Sequence, residues 1–560
     1  MVIEAVRISA LEGRVKEAIP DRNKLYSIIA PERVKVYGEW ESSFITELLN
    51  ERTVSRWERG KGYLISAQTG TGKSTFIEEV LIPLAQECGK KVLIVVPREA
   101  LAIQFRKRIG EKFCPELVRQ YTFEGIKRKA EWSNCMIITY QSLVSSRARH
   151  NLLEEARKFE FVVLDEVHCF MLDALFNVFT QYILEFLITK VAQRSKRVYL
   201  SATPEIILDT IAKLEDKMVP DESYWRANEA LTVYCFKRHY DYVSIAFGEK
   251  KQTILDFLKK IGREEKALIF VRSMNQGEEL AEELGSDAVF ITAESKQKEQ
   301  RSTFDKLMET EQFDGRYLIA TSWLDVGVNI RDEKLRYIVS FHLWPESVIQ
   351  MLGRKRSKGK KDRVKLILQL PSKRTVEAKI QELEEENERI SILEEGYSGK
   401  MVVGPLAEVP FPLYLDGTEG ALKYYINVYP KIANNFHIRF LQKLLVYPED
   451  GKFAEHYIVK IVELFPECQG YENMDRVPPV EDQEIIQYLE DAVGKEFTKE
   501  EVLDFSDKLL KLLQINRRSD QKDSVPTMIL NRAMLTRNIP YEIANLSGEK
   551  KKGIWTVRRK

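Results

Sequence analysis

GYLISAQTGTGKSTFIEEVLIPLAQEC, residues 62–88, decides the fold. An apolar run ending at Ala67 leads into glycines, a lysine and two hydroxyl residues, and then into a stretch with helical apolar spacing. Strand, glycine turn and helix in that order make a phosphate cradle. The glycines let backbone N–H groups turn inward, and the helix N-terminus adds favourable potential for an anion. Within AQTGTGKST, Lys73 is expected to neutralise β- and γ-phosphate charge and Ser74 to place its hydroxyl on Mg²⁺. Ala67, Gln68, Thr69, Gly70, Thr71, Gly72 and Thr75 complete the expected nucleotide loop.

FVVLDEVH, residues 161–168, supplies the other half of such a site. An apolar strand ending in two acids puts Asp165 and Glu166 at the carboxyl edge of a parallel sheet, beside the loop. Asp165 is expected to hold Mg²⁺ through water and Glu166 to orient or deprotonate an attacking water. Phosphoryl transfer asks mainly for positioning and charge neutralisation, so this small set is enough, with ATP and Mg²⁺ as cofactors.

Around these two motifs the chain alternates apolar strands with amphipathic helices, the pattern of a parallel sheet covered on both faces. KVLIVV, CMIITY and RVYLSAT are further strand candidates in the first half. Near residue 250 the alternation restarts with KALIFVRS, AVFITA, RYLIAT, LRYIVSF and VKLILQL. The expected organisation is an N-terminal extension (1–45), a first α/β domain (46–225), a connector (226–249), a second α/β domain (250–375) and a mainly helical accessory region (376–560).

Bulk composition narrows the class. A chain of 560 residues is too long for one core. A hydrophobic share of 44% with 31% charged residues fits a globular protein, and no apolar run reaches membrane-spanning length. The charged N-terminus does not read as a signal peptide, so a cytoplasmic protein is expected. Six scattered cysteines without a CxxC pair argue against zinc ribbons and iron–sulfur clusters. The net charge of +1 is uninformative by itself. Two basic stripes, RKRSKGKKDR (354–363) and GEKKKGIWTVRRK (548–560), are the places where a polyanion could be held.

Further segments fall in a characteristic order. VVPREALAIQF (95–105), TYQSL (139–143) and SAT (201–203) lie in the first domain; LIFVRS (268–273), ATSWLDVGVNI (320–330) and QMLGRKRS (350–357) lie in the second. Together with AQTGTGKST and DEVH, these segments make the chain resemble a superfamily 2 DExH-box helicase, in a DEVH variant similar to phage and mobile-element types. The resemblance implies two tandem RecA-like P-loop domains that sandwich ATP. It implies that Gln350 lies near the γ-phosphate or attacking water, with Arg354 and Arg356 as arginine fingers. It puts Gly327 and Asn329 near the ATP cleft. His168, Ser201, Ala202 and Thr203 would couple the nucleotide state to domain movement. Pro97, Arg98, Thr139, Ser273 and Thr321 would line the nucleic-acid backbone, and DNA is expected over RNA. The pattern is not uniform: the arginine of the common GRxxR ending is replaced by Ser357, and VKVYGEWESSF (34–44) lacks the adenine-reading glutamine of DEAD-box proteins.

The C-terminal third says less. TKEEVLDFSDKLLKLL (498–513) opens with a capping box, Thr498 with Glu501, and VPTMILNRAMLTR (525–537) is a second helix candidate. Two strand candidates around a Gly/Lys turn follow; a winged helix near 480–560 is one reading of this order, and it would put Lys550–Lys552 on phosphate and Trp555 in the core. KYYINVYPKIANNFHIRF (423–440) is expected to pack as helix.

Overall fold

Alternate side chains of the central strands enter two different cores, which explains why these strands read as unbroken apolar runs. Leu64, Leu93 and Val95 join one core, whereas Tyr63, Ile65, Val92, Ile94 and Val96 join the other. Successive residues of a strand point to opposite faces, so a sheet covered by helices on both sides must be apolar at every position. A computed structural model describes residues 34–40, 44–218, 230–292, 298–321, 324, 328–356, 362–397, 399–400, 409–416, 423–447, 452–475, 480–513, 515, 527–536, 539–546 and 554–559.

The chain divides into one unit of residues 1–473 and a second of 474–560. In the first unit, eight strands form one sheet: β1 (Val34–Trp40), β2 (Gly62–Ser66), β3 (Lys91–Val96), β4 (Glu131–Trp132), β5 (Cys135–Thr139), β6 (Phe159–Leu164), β7 (Lys196–Ser201) and β8 (Leu231–Phe236). Their spatial order is β1-β8-β2-β7-β6-β3-β5-β4, with every pair parallel except β4 on β5. The next strands are β9 (Val243–Gly248), β10 (Lys266–Val271), β11 (Ala288–Ile291), β12 (Tyr317–Thr321), β13 (Leu335–Ser340) and β14 (Val364–Gln369). The accessory region adds a hairpin, β15 (Leu413–Asp416) with β16 (Lys423–Ile426), and β17 (Tyr471–Asn473). The second sheet is all parallel in the order β11-β12-β10-β13-β14-β9-β17. Two RecA-like parallel-sheet domains are thus present.

The expected boundaries need moving. Residues 34–40 of the presumed extension form an edge strand of the first sheet. The presumed connector, 226–249, supplies β8 to the first sheet and β9 to the second, which leaves residues 237–242 between the two sheets. Both strands pair with residues far along the chain.

Helix α1 (Glu99–Phe113) follows β3, and α2 (Pro345–Leu352) follows β13. In the accessory region α3 (Lys373–Tyr397) packs beside α4 (Tyr429–Leu445), and α5 (Phe453–Val462) follows. Residues 423–426 are strand, so the helix expected over 423–440 begins only at Tyr429, with Pro430 in its first turn. Helix α4 buries Tyr429 and Ala433 in a core of the first domain and Phe440, Leu441 and Leu444 in the core of the second.

The second unit contains α6 (Val480–Glu490), β18 (Glu496–Phe497), α7 (Lys499–Leu512), α8 (Thr527–Thr536), β19 (Tyr541–Asn545) and β20 (Trp555–Arg559). Its antiparallel sheet has the order β18-β20-β19. The Thr498 hydroxyl accepts from the Glu501 N–H while the Glu501 carboxylate accepts from the Thr498 N–H, completing the capping box. Trp555 packs on a core centred on Leu489, Leu509 and Leu530. Lys550–Lys552 lie outside the described residues.

Candidate functional site

The strand order brings three loops together. β7 lies between β2 and β6, so Ser201–Thr203 sit between the phosphate loop and the acid pair, all at the carboxyl edge of the sheet. The Ala67 N–H donates to the Ser201 carbonyl at 3.0 Å, and the Asp165 N–H donates to the Val95 carbonyl at 2.9 Å. Gly70 (φ +92°) and Gly72 (φ +86°) occupy the left-handed region, which only glycine enters without strain.

Lys73 reaches inward, its Nζ 3.3 Å from Glu166 Oε1 and donating to the Ala67 carbonyl at 3.3 Å. Glu166 has φ +47°, a left-handed conformation that costs a non-glycine residue about 1–3 kcal/mol. The turn is held by the Asp165 Oδ1, which accepts the Glu166 N–H at 3.1 Å, and by the Glu166 carbonyl, which accepts from the Cys169 N–H. Burial and the Glu166 carboxylate push the Asp165 carboxyl up to about 7, against the opposing Lys73 ammonium. Burial acts on Glu166 in the same direction, but the Lys73 ammonium and the Arg354 guanidinium outweigh it and hold that carboxyl below its ordinary range. One acid is thus kept ionised, and the other is crowded and short of positive charge.

The second domain completes this edge. Gln350, near the end of α2, donates from Nε2 to Glu166 Oε2 at 3.4 Å. Arg354 donates from NH2 to Gln350 Oε1 at 3.4 Å, and from Nε and NH1 to the carbonyls of Gln350 and Val328. Arg356 donates from Nε to Asn329 Oδ1 at 2.7 Å. A β-carbon placed on Gly70 would stand 3.5 Å from Arg356 NH1, so this guanidinium lies over the phosphate loop. Burial and neighbouring Arg354 push Arg356 down to about 10, which leaves it charged at neutral pH. Gly70, Gly72, Lys73, Ser74, Thr75, Asp165 and Glu166 share one cleft with Asn329, Arg354 and Arg356.

Other expected residues have different surroundings. Gln68 turns its amide away from the cleft: its Oε1 accepts from the His239 N–H at 2.8 Å, and its Nε2 donates to the His239 carbonyl at 3.0 Å. The Thr71 hydroxyl donates to the Gln68 carbonyl, and Thr69 lies against Gly353. His168 Nδ1 is 3.0 Å from the Ser201 hydroxyl, which also accepts the Thr203 N–H at 2.9 Å. Burial pushes His168 down to about 4, so its ring is neutral at neutral pH. Ala202 packs into the core shared with the second domain. Gly327 lies outside the described residues, as does Ser357.

The expected nucleic-acid residues divide. Arg98 forms a two-bond pair with the buried Asp173, NH2 donating to Oδ1 at 2.7 Å, and Tyr140 donates to the same carboxylate. Asp173 thus occupies the guanidinium expected on phosphate and gives Arg98 a structural partner. The Pro97 carbonyl accepts from Gln141 at 2.6 Å. Thr139 and Thr321 end β5 and β12, and Ser273 follows β10, capping the next helix by accepting the Gln276 N–H. Two residues beside the phosphate loop escaped sequence reasoning. Phe44 is 52% exposed, near a β-carbon built on Gly72, and the Ile45 N–H donates to the Thr71 carbonyl at 3.0 Å. Gln104 accepts from Asn329 Nδ2 at 3.2 Å. Both stand in segments quoted above, 95–105 and 34–44, but no pattern in those segments marks either residue type.

The residues fit a nucleotide phosphate with Mg²⁺: inward-turning glycines, Lys73, the Ser74 hydroxyl and the charge-starved Asp165 surround one space. The chain carries a DEAD/DEAH box helicase domain over residues 48–211 and a helicase conserved C-terminal domain over 249–359. It is 25% identical over 327 residues to the DEAD-box ATP-dependent RNA helicase RhpA of Helicobacter pylori, covering 56% of this chain and 63% of that one. It is 25% identical over 317 residues to the ATP-dependent RNA helicase eIF4A of Eremothecium gossypii, covering 55% and 77%. A shorter match of 33% over 130 residues joins it to reverse gyrase of Pyrococcus horikoshii, covering 21% and 8%. Among solved structures it is similar to S. cerevisiae Dbp5 bound to RNA and ADP BeF3, with a TM-score of 0.40, 16% identity and coverage of 56% and 80%. The chain therefore spans just under two thirds of the length of RhpA. The finer expectation of a phage-type DExH helicase is not what these matches return, since RhpA is by name a DEAD-box protein. Among the described residues no helix is long and apolar enough to cross a membrane.

Proposed function

We propose that the chain is an ATP-dependent helicase or translocase that couples hydrolysis to movement along nucleic acid. One observation carries this reading: Gln350 of the second domain bonds Glu166 of the first, so the hydrolytic site is complete only when the domains are closed. Lys73 and Arg356 would neutralise the phosphates, and Ser74 with Asp165 would hold Mg²⁺, which polarises the phosphoryl oxygens when bound. Glu166 would take the proton of the attacking water, and Gln350 would orient that water. Arg354 braces Gln350, so Arg356 is the better candidate for the finger. Phe44 is an exposed ring beside the loop against which a base could stack.

Thr139, Ser273 and Thr321 at the strand ends are the residues proposed on the phosphodiester backbone. The DNA preference expected from sequence gains no support from the relatives, whose names include two RNA helicases, so single-stranded RNA is the first polymer to test. ATP hydrolysis is measured alone and with single-stranded RNA, single-stranded DNA or duplex. Stimulation by one of them supports the motor; no stimulation by any refutes it. Displacement of a labelled strand from a tailed duplex then separates unwinding from remodelling of protein–nucleic-acid complexes without strand separation.

A further inference from the structure

Helix α2 brings Gln350 to Glu166, and its position is set by more than its own domain, into whose core Val348, Ile349, Met351 and Leu352 pack. Glu346 lies in the first turn of α2, one helical turn before Gln350, and is fully buried. Its carboxylate accepts a hydrogen bond from His437 Nε2 of α4, whose residue is 1% exposed. The His437 ring stacks on Trp344, the residue before α2, with centroids 4.0 Å apart and planes 10° from parallel. Both the entry and the first turn of α2 are therefore held by one histidine from the accessory region.

The helix that presents this histidine is fixed to the opposite domain. Just before α4, Asn427 donates to the Asn177 carbonyl at 3.1 Å and to the Thr180 hydroxyl at 2.9 Å, and the Val428 N–H donates to Gln181 Oε1 at 2.9 Å. Tyr429 and Ala433 are buried in a core of the first domain, while Phe440, Leu441 and Leu444 are buried in the second. His437 stands between these two anchorages. The acid Glu166 belongs to the first domain, so a helix rooted there and gripping α2 sets the distance over which Gln350 must reach.

We propose that His437 is a positioning residue for ATP hydrolysis, acting through Glu346 and α2 to seat Gln350 against Glu166. The proposal rests on the ATPase reading above and adds that the accessory region sets the geometry of the hydrolytic step rather than nucleotide affinity. His437 touches none of the reacting groups itself.

The full chain is compared with three variants in steady-state ATP hydrolysis at saturating polymer. His437→Phe keeps a ring for the Trp344 stack and deletes the donor. His437→Gln keeps an amide donor at about the reach of Nε2, and Gln350→Ala removes the group being positioned. A misplacement of about 1 Å costs on the order of 100-fold, so His437→Phe is expected to lower kcat roughly 10- to 100-fold, with KM for ATP moving less than about threefold. His437→Gln should restore most of the turnover. Residues acting as a unit are not additive, so His437→Phe with Gln350→Ala should be no slower than Gln350→Ala alone, within about twofold. Thermal melting verifies that each variant is folded, and His437→Gln against wild type remains a readable pair if the phenylalanine variant is not. Unchanged kcat in His437→Phe, a loss confined to KM, a multiplicative double variant, or turnover kept by Phe and lost by Gln would each overturn the proposal. If the wild-type chain hydrolyses no ATP under any condition, the ATPase reading itself fails, which is a different result.

Discussion

Gly353→Ala should uncouple the two halves of the site without touching any group that does chemistry. Gly353 ends α2 with φ −66° and ψ −9°, a conformation that alanine adopts freely, so the backbone itself gains nothing from glycine here. What requires glycine is Thr69 of the phosphate loop. A β-carbon at 353 would stand 2.1 Å from Thr69 Oγ1 and 2.6 Å from both its Cβ and Cγ2. Ordinary carbon contacts begin near 3.5 Å, so the domains must separate by about 1 Å, and rotating Thr69 cannot help because its Cβ is itself too close. That shift acts on Gln350, Arg354 and Arg356 together. An error of about 1 Å in a reacting geometry costs on the order of 100-fold, or about 3 kcal/mol of transition-state stabilisation. Steady-state ATP hydrolysis should show that fall in kcat, while binding of a fluorescent ATP analogue, which depends mainly on the first domain, changes little. Thr69→Gly, which removes all three offending atoms, should recover much of the lost turnover in the double variant; Thr69→Ser, which keeps Cβ, should not. Normal kcat in Gly353→Ala would refute the closed interface, and loss of analogue binding to the same degree as kcat would place the defect in the loop instead.

Glu166→Gln should retain ATP binding and stop turnover, and Lys73→Ala should weaken binding itself; normal turnover in Glu166→Gln, followed by phosphate release, would remove it as the water-activating group. Arg98→Ala leaves the buried Asp173 carboxylate with the Tyr140 hydroxyl but without its guanidinium, and breaking such a pair from one side costs about 3–5 kcal/mol, so chemical denaturation should show the loss. A drop in polymer affinity without loss of stability would return Arg98 to the nucleic-acid groove. Deleting residues 474–560, a unit with its own core, should lower polymer affinity and leave Glu166-dependent hydrolysis in place. Unchanged affinity in a filter-binding assay would remove residues 474–560 from the binding surface.

The phosphate loop and the acid pair were legible because the chemistry demands contiguous residues: a strand, a turn and a helix must follow within a few positions. The ten apolar runs quoted from the two domains became strands because parallel sheets buried on both faces need every residue apolar. β1, β8, β9 and β17 were not legible: β1 and β17 are edge strands, β8 alternates buried with half-buried positions, and β9 carries Ser244 and Gly248 in a run of only six residues. The capping box at Thr498 and the two strands of the second unit, β19 and β20, were readable in the sequence. Gln68 shows the limit of motif reasoning. Its place in AQTGTGKST suggests a phosphate contact, yet its amide holds both backbone groups of His239, between the domains. The motif records the position, and the partner 171 residues away decides what the side chain does.

That partner leads to a common mechanical scheme. Residues 237–242 between the two sheets are held at one side by Gln68 of the phosphate loop and at the other by the accessory region. There Glu467 pairs with Lys237 and His239, and the Pro466 carbonyl accepts the Tyr240 N–H at 3.1 Å. α4 is the second route by which the same region joins both domains. Two independent ties from residues 427–473 therefore reach the ATP cleft, one through the phosphate loop and one through Gln350. Opening the cleft by rotating one domain against the other must break or stretch both. A two-domain ATPase without such ties would rely on nucleotide and polymer to close it, and the energy of closure would come out of their binding. Here part of that closure is built into the folded chain, so the dependence of hydrolysis on polymer should be weaker in the intact protein than in one whose α4 contacts are cut.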